Sequence, residues 1–283
     1  MIGVLAMPAI VRFLAVICCV SMAFGSITAL ADEGFLRNGV TAHRGDSIRY
    51  PENTIPAFRS GIEVGADWLE LDIFRTRDGH LVIAHDRTTG RVAGRDLVIA
   101  DSTLEELRQL DVASEFRKCR KLSLEECPPE KMPLLEEVLQ LVMTQDKTRV
   151  SIQPKMDCVP DAIALIRRLK AEKWVGFNDG NLKWMTQVKE LAPEIPVFWD
   201  RPHNSNLEED IRIAKERGFE SLVVNLRGIT AERIKQIQDA GLEAGAWTVN
   251  DPQVMKTFLD YGIDRIYTDD PAMLLKFISD RRK

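Results

Sequence analysis

Only four histidines occur in the 283 residues, at positions 43, 80, 85 and 203. His43 closes an apolar run, Val40-Thr41-Ala42-His43, and Arg44-Gly45 follows it. Glu70 and Asp72 stand two apart in Trp68-Leu69-Glu70-Leu71-Asp72, a spacing that aims both carboxylates at one face of a strand. Carboxylates held that way repel unless positive charge lies between them. A hard cation that takes oxygen ligands, Mg²⁺ or Ca²⁺, suits the pair; so does an ion pair with Arg44 or Lys155. Imidazole titrates near neutrality, so two histidines held close can take a proton from one oxygen and give one to another. A cation and an arginine fork can stabilise negative charge developing on oxygen in the same place.

These groups need a scaffold that brings strand ends together. After residue 36, short apolar or β-branched runs alternate with amphipathic segments of helical length. Eight strand candidates end in residues 40–43, 68–72, 150–153, 174–177, 196–199, 222–225, 244–248 and 265–268, with helices such as 134–144, 161–172, 207–217 and 230–240 between them. Alternation and count predict an α/β (β/α)₈ TIM barrel, in which chemistry gathers at the C-terminal strand ends. A ninth strand-like run, Leu81 to Ala84, threatens the count. Asp78-Gly79 before it predicts a hairpin over Ile73 to His85 standing on the barrel mouth. A two-residue loop there sets Arg77 opposite His80 and Asp72 opposite His85. Residues 87–133 are too long for an ordinary loop and read as a small insertion over the C-terminal mouth.

The composition is ordinary for a globular chain: 45% hydrophobic, 29% charged and a formal net charge of -5. No basic run interleaved with aromatics occurs, so a nucleic-acid partner is not expected, and any phosphate must be held by a few placed cations. Residues 1–31 carry one charge, Arg12, then an apolar stretch, then Ala29-Leu30-Ala31. That order reads as a secretory signal peptide, with residues 32–283 as the exported domain, periplasmic or secreted, and no stable membrane insertion after cleavage. Cys119, Cys127 and Cys158 then remain. They form either a Cys119–Cys127 bridge with one thiol left over, or three free thiols. No Cys/His spacing suggests zinc.

Ala42-His43-Arg44-Gly45, Pro51-Glu52-Asn53-Thr54, Glu70-Leu71-Asp72, Asp78-Gly79 with His85-Asp86, Trp247-Thr248-Val249-Asn250 and Thr268-Asp269-Asp270-Pro271 resemble, in that order and at similar spacing, the glycerophosphodiester phosphodiesterases. Each motif alone is weak; six in order, covering nearly the whole chain beyond residue 31, are specific. The resemblance implies the same barrel and a small-molecule glycerophosphodiester substrate, split into glycerol 3-phosphate and an alcohol with a divalent cation. It implies His43 and His85 as the acid/base pair, Glu70 and Asp72 as cation ligands, and Arg44 and Lys155 as phosphate contacts. Trp247 is expected in the pocket wall. Glu52 is expected to orient Arg44 or to approach the cation.

One motif departs from the pattern. Ile152-Gln153-Pro154-Lys155 stands where the family usually has Ile-Glu-Ile-Lys, so the third cation ligand becomes a neutral amide at Gln153. Weaker cation binding follows, or a water or another carboxylate completes the set. His80, at the hairpin turn, and His203, on a mouth-side loop, read as solvated surface residues. Two other readings stay open: a lyase-type, phospholipase D-like action on lysophospholipid or sphingolipid head groups, and a phosphodiester-binding barrel with impaired catalysis.

Overall fold

Inward and outward side chains alternate along each strand, and in a closed barrel that separates two cores. Nine strands occur in the described residues, 1–3 and 34–281 of the computed structural model; most of the expected signal peptide lies outside them. Eight are parallel: β1 (Val40–Ala42), β2 (Trp68–Arg75), β4 (Arg149–Pro154), β5 (Val175–Asp179), β6 (Val197–Arg201), β7 (Ser221–Asn225), β8 (Glu243–Trp247) and β9 (Arg265–Thr268). β1 pairs with both β2 and β9, which closes the sheet into the predicted (β/α)₈ barrel.

Leu69, Leu71 and Ile73 on β2 face outward into the main core, with Val150, Ile152, Phe177, Val197 and Leu222. Trp68 faces inward and shares the barrel interior with Phe198, Val223 and Tyr267. The Trp68 and Phe198 rings meet edge to face, centroids 4.9 Å apart. Gly176 makes room for them: a Cβ there would lie 2.9 Å from the Phe198 ring and 3.1 Å from Trp68. This aromatic plug fills the barrel below the mouth.

The helices begin and end where their sequences signal it. Thr54 accepts from the Ala57 N–H to start α1 (Ile55–Val64), Thr230 accepts from Arg233 to start α9 (Ala231–Asp239), and Asp251 caps α10 (Pro252–Asp260). Expected helices 134–144, 161–172 and 207–217 are observed as α5 (Leu135–Val142), α6 (Val159–Leu169) and α8 (Leu207–Arg217).

The hairpin partner is β3 (Leu81–Ile83), antiparallel to β2, but its register differs from expectation by one residue. Thr76 N–H donates to His80 O, so the loop holds three residues, Arg77 to Gly79, with Gly79 at φ 86°. The Thr76 hydroxyl donates to Asp78 and accepts from His80 N–H, which favours this wider loop over the two-residue turn. Asp72 therefore faces Ala84, whose N–H donates to Asp72 O, and His85 lies one residue beyond.

Residues 87–133 carry three short α-helices, α2 (Gly90–Ala93), α3 (Leu104–Arg108) and α4 (Ser114–Arg120), and a 3-10 turn at Ile99–Asp101. They bury Ile99, Leu107, Val112 and Met132 against the hairpin's outer face at Phe74, Val82 and Ala84. The Cys119–Cys127 bridge is not formed; Cys119, Cys127 and Cys158 are free. Cys119 is exposed at the end of α4 while Cys127 is buried, so the two thiols occupy opposite environments.

Candidate active site

A cavity of about 600 Å³ opens at the C-terminal strand ends, lined among others by His43, Arg44, Glu70, His85, Gln153, Lys155 and Trp247. Asp72, fully buried, lies beneath it. Each of these side chains is delivered by a strand end or by the segment just after it. His43 follows β1, and its N–H donates to Thr268 O on β9 at 2.8 Å. The turn after it holds Arg44 at φ 59° and Gly45 at φ 81°. A Cβ on Gly45 would meet Ala57 backbone at 2.7 Å. This left-handed turn, costly for arginine by about 1–2 kcal/mol, points the Arg44 N–H at Glu70 Oε2, 3.0 Å away.

The histidines are each held by an aspartate. His43 Nδ1 lies 2.6 Å from Asp269 Oδ1, and Asp269 also accepts from Ser47 and Asn250. Burial would lower the His43 pKa, but the Asp269 hydrogen bond and the nearby Glu70 charge outweigh it and raise it. His85 Nδ1 lies 2.7 Å from Asp86 Oδ1. There burial, with the positive charges of Arg44 and Lys155, prevails over Asp72 and Asp86, and the pKa is lowered. With Nδ1 engaged in each ring, Nε2 is the nitrogen left for substrate.

Glu52 is engaged by two arginines. Its Oε1 accepts from Arg44 (3.0 Å) and Arg91 (2.7 Å), its Oε2 from Arg91 (2.6 Å), and these partners lower its pKa despite burial. Of its two expected roles, orienting Arg44 is the one the geometry holds. Arg91, on α2 of the insertion, also donates to Asp86, so one guanidinium ties the His85 support to the Arg44 support.

Lys155 Nζ lies 3.0 Å from Asp72 Oδ1 and also donates to Gln153 Oε1. Trp247 donates its ring N–H to Val223 O and packs on the aromatic plug. His203 lines the cavity while remaining exposed, and His80 is exposed at the hairpin loop.

The donor set suits a hard divalent cation. Glu70 and Asp72 share one face of β2, and Gln153 is the β4 register partner of Asp72. Burial and the Asp72 charge push Glu70 up to about 7, against the lowering by His43, Arg44 and Lys155. Asp72 Oδ1 and Gln153 Oε1 converge on an ammonium, a cation occupying the place between two oxygens. Among the described residues no three acidic, histidine or cysteine side chains gather to hold a metal, so the set is two carboxylates and an amide oxygen.

Sequence reasoning gave no role to Asp269, Asp86 and Asn53, although it quoted all three inside motifs; Asn53 donates to Asp72 Oδ2 at 2.8 Å. It missed Arg91 and Asp200 altogether. Asp200, on β6, accepts from Gln153 and Asn178, and its position at a strand end was the one available signal.

A barrel mouth carrying a histidine pair, a buried carboxylate pair and converging cations defines a phosphodiester-cleaving barrel. The chain belongs to the glycerophosphoryl diester phosphodiesterase family, which it matches over residues 43–273, and it is thereby a phosphoric diester hydrolase. It is 32% identical to the glycerophosphodiester phosphodiesterase of Caldanaerobacter subterraneus subsp. tengcongensis, covering 84% of this chain and 97% of that protein. The crystal structure of a glycerophosphodiester phosphodiesterase from Parabacteroides distasonis superposes with a TM-score of 0.71 at 25% identity, over 88% of this chain and 100% of that one. An Oleispira antarctica phosphodiesterase, solved with the product sn-glycerol-3-phosphate, shares the fold at TM-score 0.71 and 24% identity, over 85% of this chain and 96% of that one.

Proposed function

We propose that the protein hydrolyses glycerophosphodiesters to glycerol 3-phosphate and an alcohol, with His85 as general base and His43 as general acid. The observation that carries this reading is that both imidazoles line one cavity above a buried carboxylate pair. Their environments push the two pKa values apart, which divides the roles: the lowered value favours the neutral, proton-accepting form of His85, and the raised one favours the protonated, donating form of His43. Glu70, Asp72 and Gln153 would hold Mg²⁺ or Ca²⁺, which when bound supplies charge to the phosphoryl oxygens. Arg44, fixed by Glu52 and Asp72, presents its guanidinium to the phosphate, and Lys155 adds a point charge beside it.

Glycerol 3-phosphate released from several glycerophosphodiesters, and lost on chelation, is the expected result. A persistent cyclic phosphate in the phosphorus NMR spectrum would instead support lyase chemistry. No alcohol release with any of Ca²⁺, Mg²⁺ or Mn²⁺ would leave a binding barrel. Export after signal cleavage belongs to the same proposal, supported by the charge and apolar order of residues 1–31; amino-terminal sequencing of the mature chain starting at Asp32 tests it.

A further inference from the structure

Asp200 is a buried carboxyl that the reaction as described leaves unused. It is 8% exposed at the end of β6, and its Oδ1 has no hydrogen-bond partner. Its Oδ2 accepts from two amides, Gln153 Nε2 at 3.0 Å and Asn178 Nδ2 at 3.0 Å. Asn178 is fixed in turn, because its Oδ1 accepts from the Ser151 hydroxyl at 2.6 Å. A carboxyl group placed this deep is expensive unless its contacts serve something.

We propose that Asp200 is a positioning residue that locks the Gln153 amide with its carbonyl oxygen toward the cation site. The polarity of the contacts allows one arrangement. Asp200 Oδ2 accepts, so it takes the amide N–H; Lys155 on the other side is donor-only, so it takes Oε1. The Gln153 oxygen is thereby turned to the side of Asp72 Oδ1, and the two share the Lys155 ammonium. Released from Asp200, the amide can turn its N–H₂ group toward the cation. Outer groups that orient a ligand in this way typically set affinity by about 10- to 100-fold.

The inference rests on the cation reading of the proposed function, and calorimetric titration of the chelator-treated full chain with Mn²⁺ separates the two. Asp200→Asn supplies an amide that can pair with either end of Gln153, so Mn²⁺ affinity should fall about tenfold or more. With saturating Mn²⁺, kcat should return to near the wild-type value, because the defect lies in holding the ion. In the Gln153→Glu background the effect should vanish. A carboxylate at 153 presents an oxygen to the cation whichever way it turns, so it needs no orienting partner. The double variant should therefore bind Mn²⁺ about as tightly as Gln153→Glu alone, an outcome that loss of fold cannot produce. If Asp200→Asn shifts affinity equally in both backgrounds, Asp200 does not act through residue 153 and the inference is overturned. Absence of Mn²⁺, Mg²⁺ and Ca²⁺ binding by the wild type overturns this inference and the cation reading together.

Discussion

His43 and Asp269 meet at 2.6 Å between Nδ1 and Oδ1, joining the first barrel strand to the segment after the last. The contact closes the ring of strands chemically as well as topologically. It fixes which nitrogen faces the cavity, and it raises the pKa of the imidazole. Asp269→Asn removes the charge and keeps the shape. The protonated form of His43 is present below its pKa and lost above it, so lowering that pKa should move the alkaline limb of kcat to lower pH. A loss of kcat on the order of 10²-fold or more is expected. An unmoved alkaline limb would show that His43 is not the acid.

Replacing the histidines separately distinguishes the two limbs. His43→Ala and His85→Ala should each cost on the order of 10²- to 10⁴-fold in kcat. Both side chains line an open cavity, so near-ultraviolet circular dichroism should be unchanged. His85 must be neutral to act as base, and its lowered pKa places the acidic limb below the ordinary imidazole value. His85→Ala should abolish that limb and keep the alkaline one. Retention of wild-type rates in both variants would remove the acid/base assignment.

The barrel and the positions of its strands were legible because period-two and helical patterns alternate cleanly, and Leu69, Leu71 and Ile73 against Trp68, Glu70 and Asp72 show both faces of one strand. His43, Glu70, Asp72, His85, Gln153 and Lys155, singled out by the family resemblance, come together at the mouth because a barrel gathers its strand ends. The hairpin register was not legible, because a side-chain hydroxyl, Thr76, chose between two loops that share the Asp-Gly signal. Arg91 was invisible for a different reason. Its role depends on how a 47-residue insertion folds back on the mouth, and no short-range pattern encodes that return.

The cysteines give a direct check on the insertion. Cys119 is exposed, while Cys127 and Cys158 are buried and their pKa values are raised by that burial, Cys158 to about 12. A thiolate is the reactive form, so brief alkylation of the native protein at pH 8 should label Cys119 and spare the other two. Peptide mapping after unfolding in a second reagent reads all three. Recovery of a Cys119–Cys127 disulfide peptide from oxidised protein would contradict the observed separation of environments.

Glu70 makes the metal-free protein sensitive to pH in a direction opposite to that of most carboxylates. Its pKa rises from 4.5 to about 7 on folding, through burial and the Asp72 charge. The folded state thus binds the proton more tightly than the unfolded chain. The stability this gives is complete below about pH 4.5 and is lost as pH rises toward 7, by up to roughly 3 kcal/mol. Asp200, raised from 3.8 to about 8, adds a loss of the same sign over a wider range. Urea unfolding in chelator at pH 5 and pH 7.5 should show this decline, and Glu70→Gln should reduce it, because an amide has no proton to lose. A divalent cation at a hundredfold excess over its Kd should oppose the decline by about 2.7 kcal/mol, since it binds the folded carboxylates and not the dispersed ones. Glu70→Gln should forfeit most of that rescue while unfolding cooperatively. An unchanged pH dependence in the variant would mean that Glu70 is ionised in the metal-free fold, and that Lys155 and Arg44 already supply the charge a cation was invoked to provide.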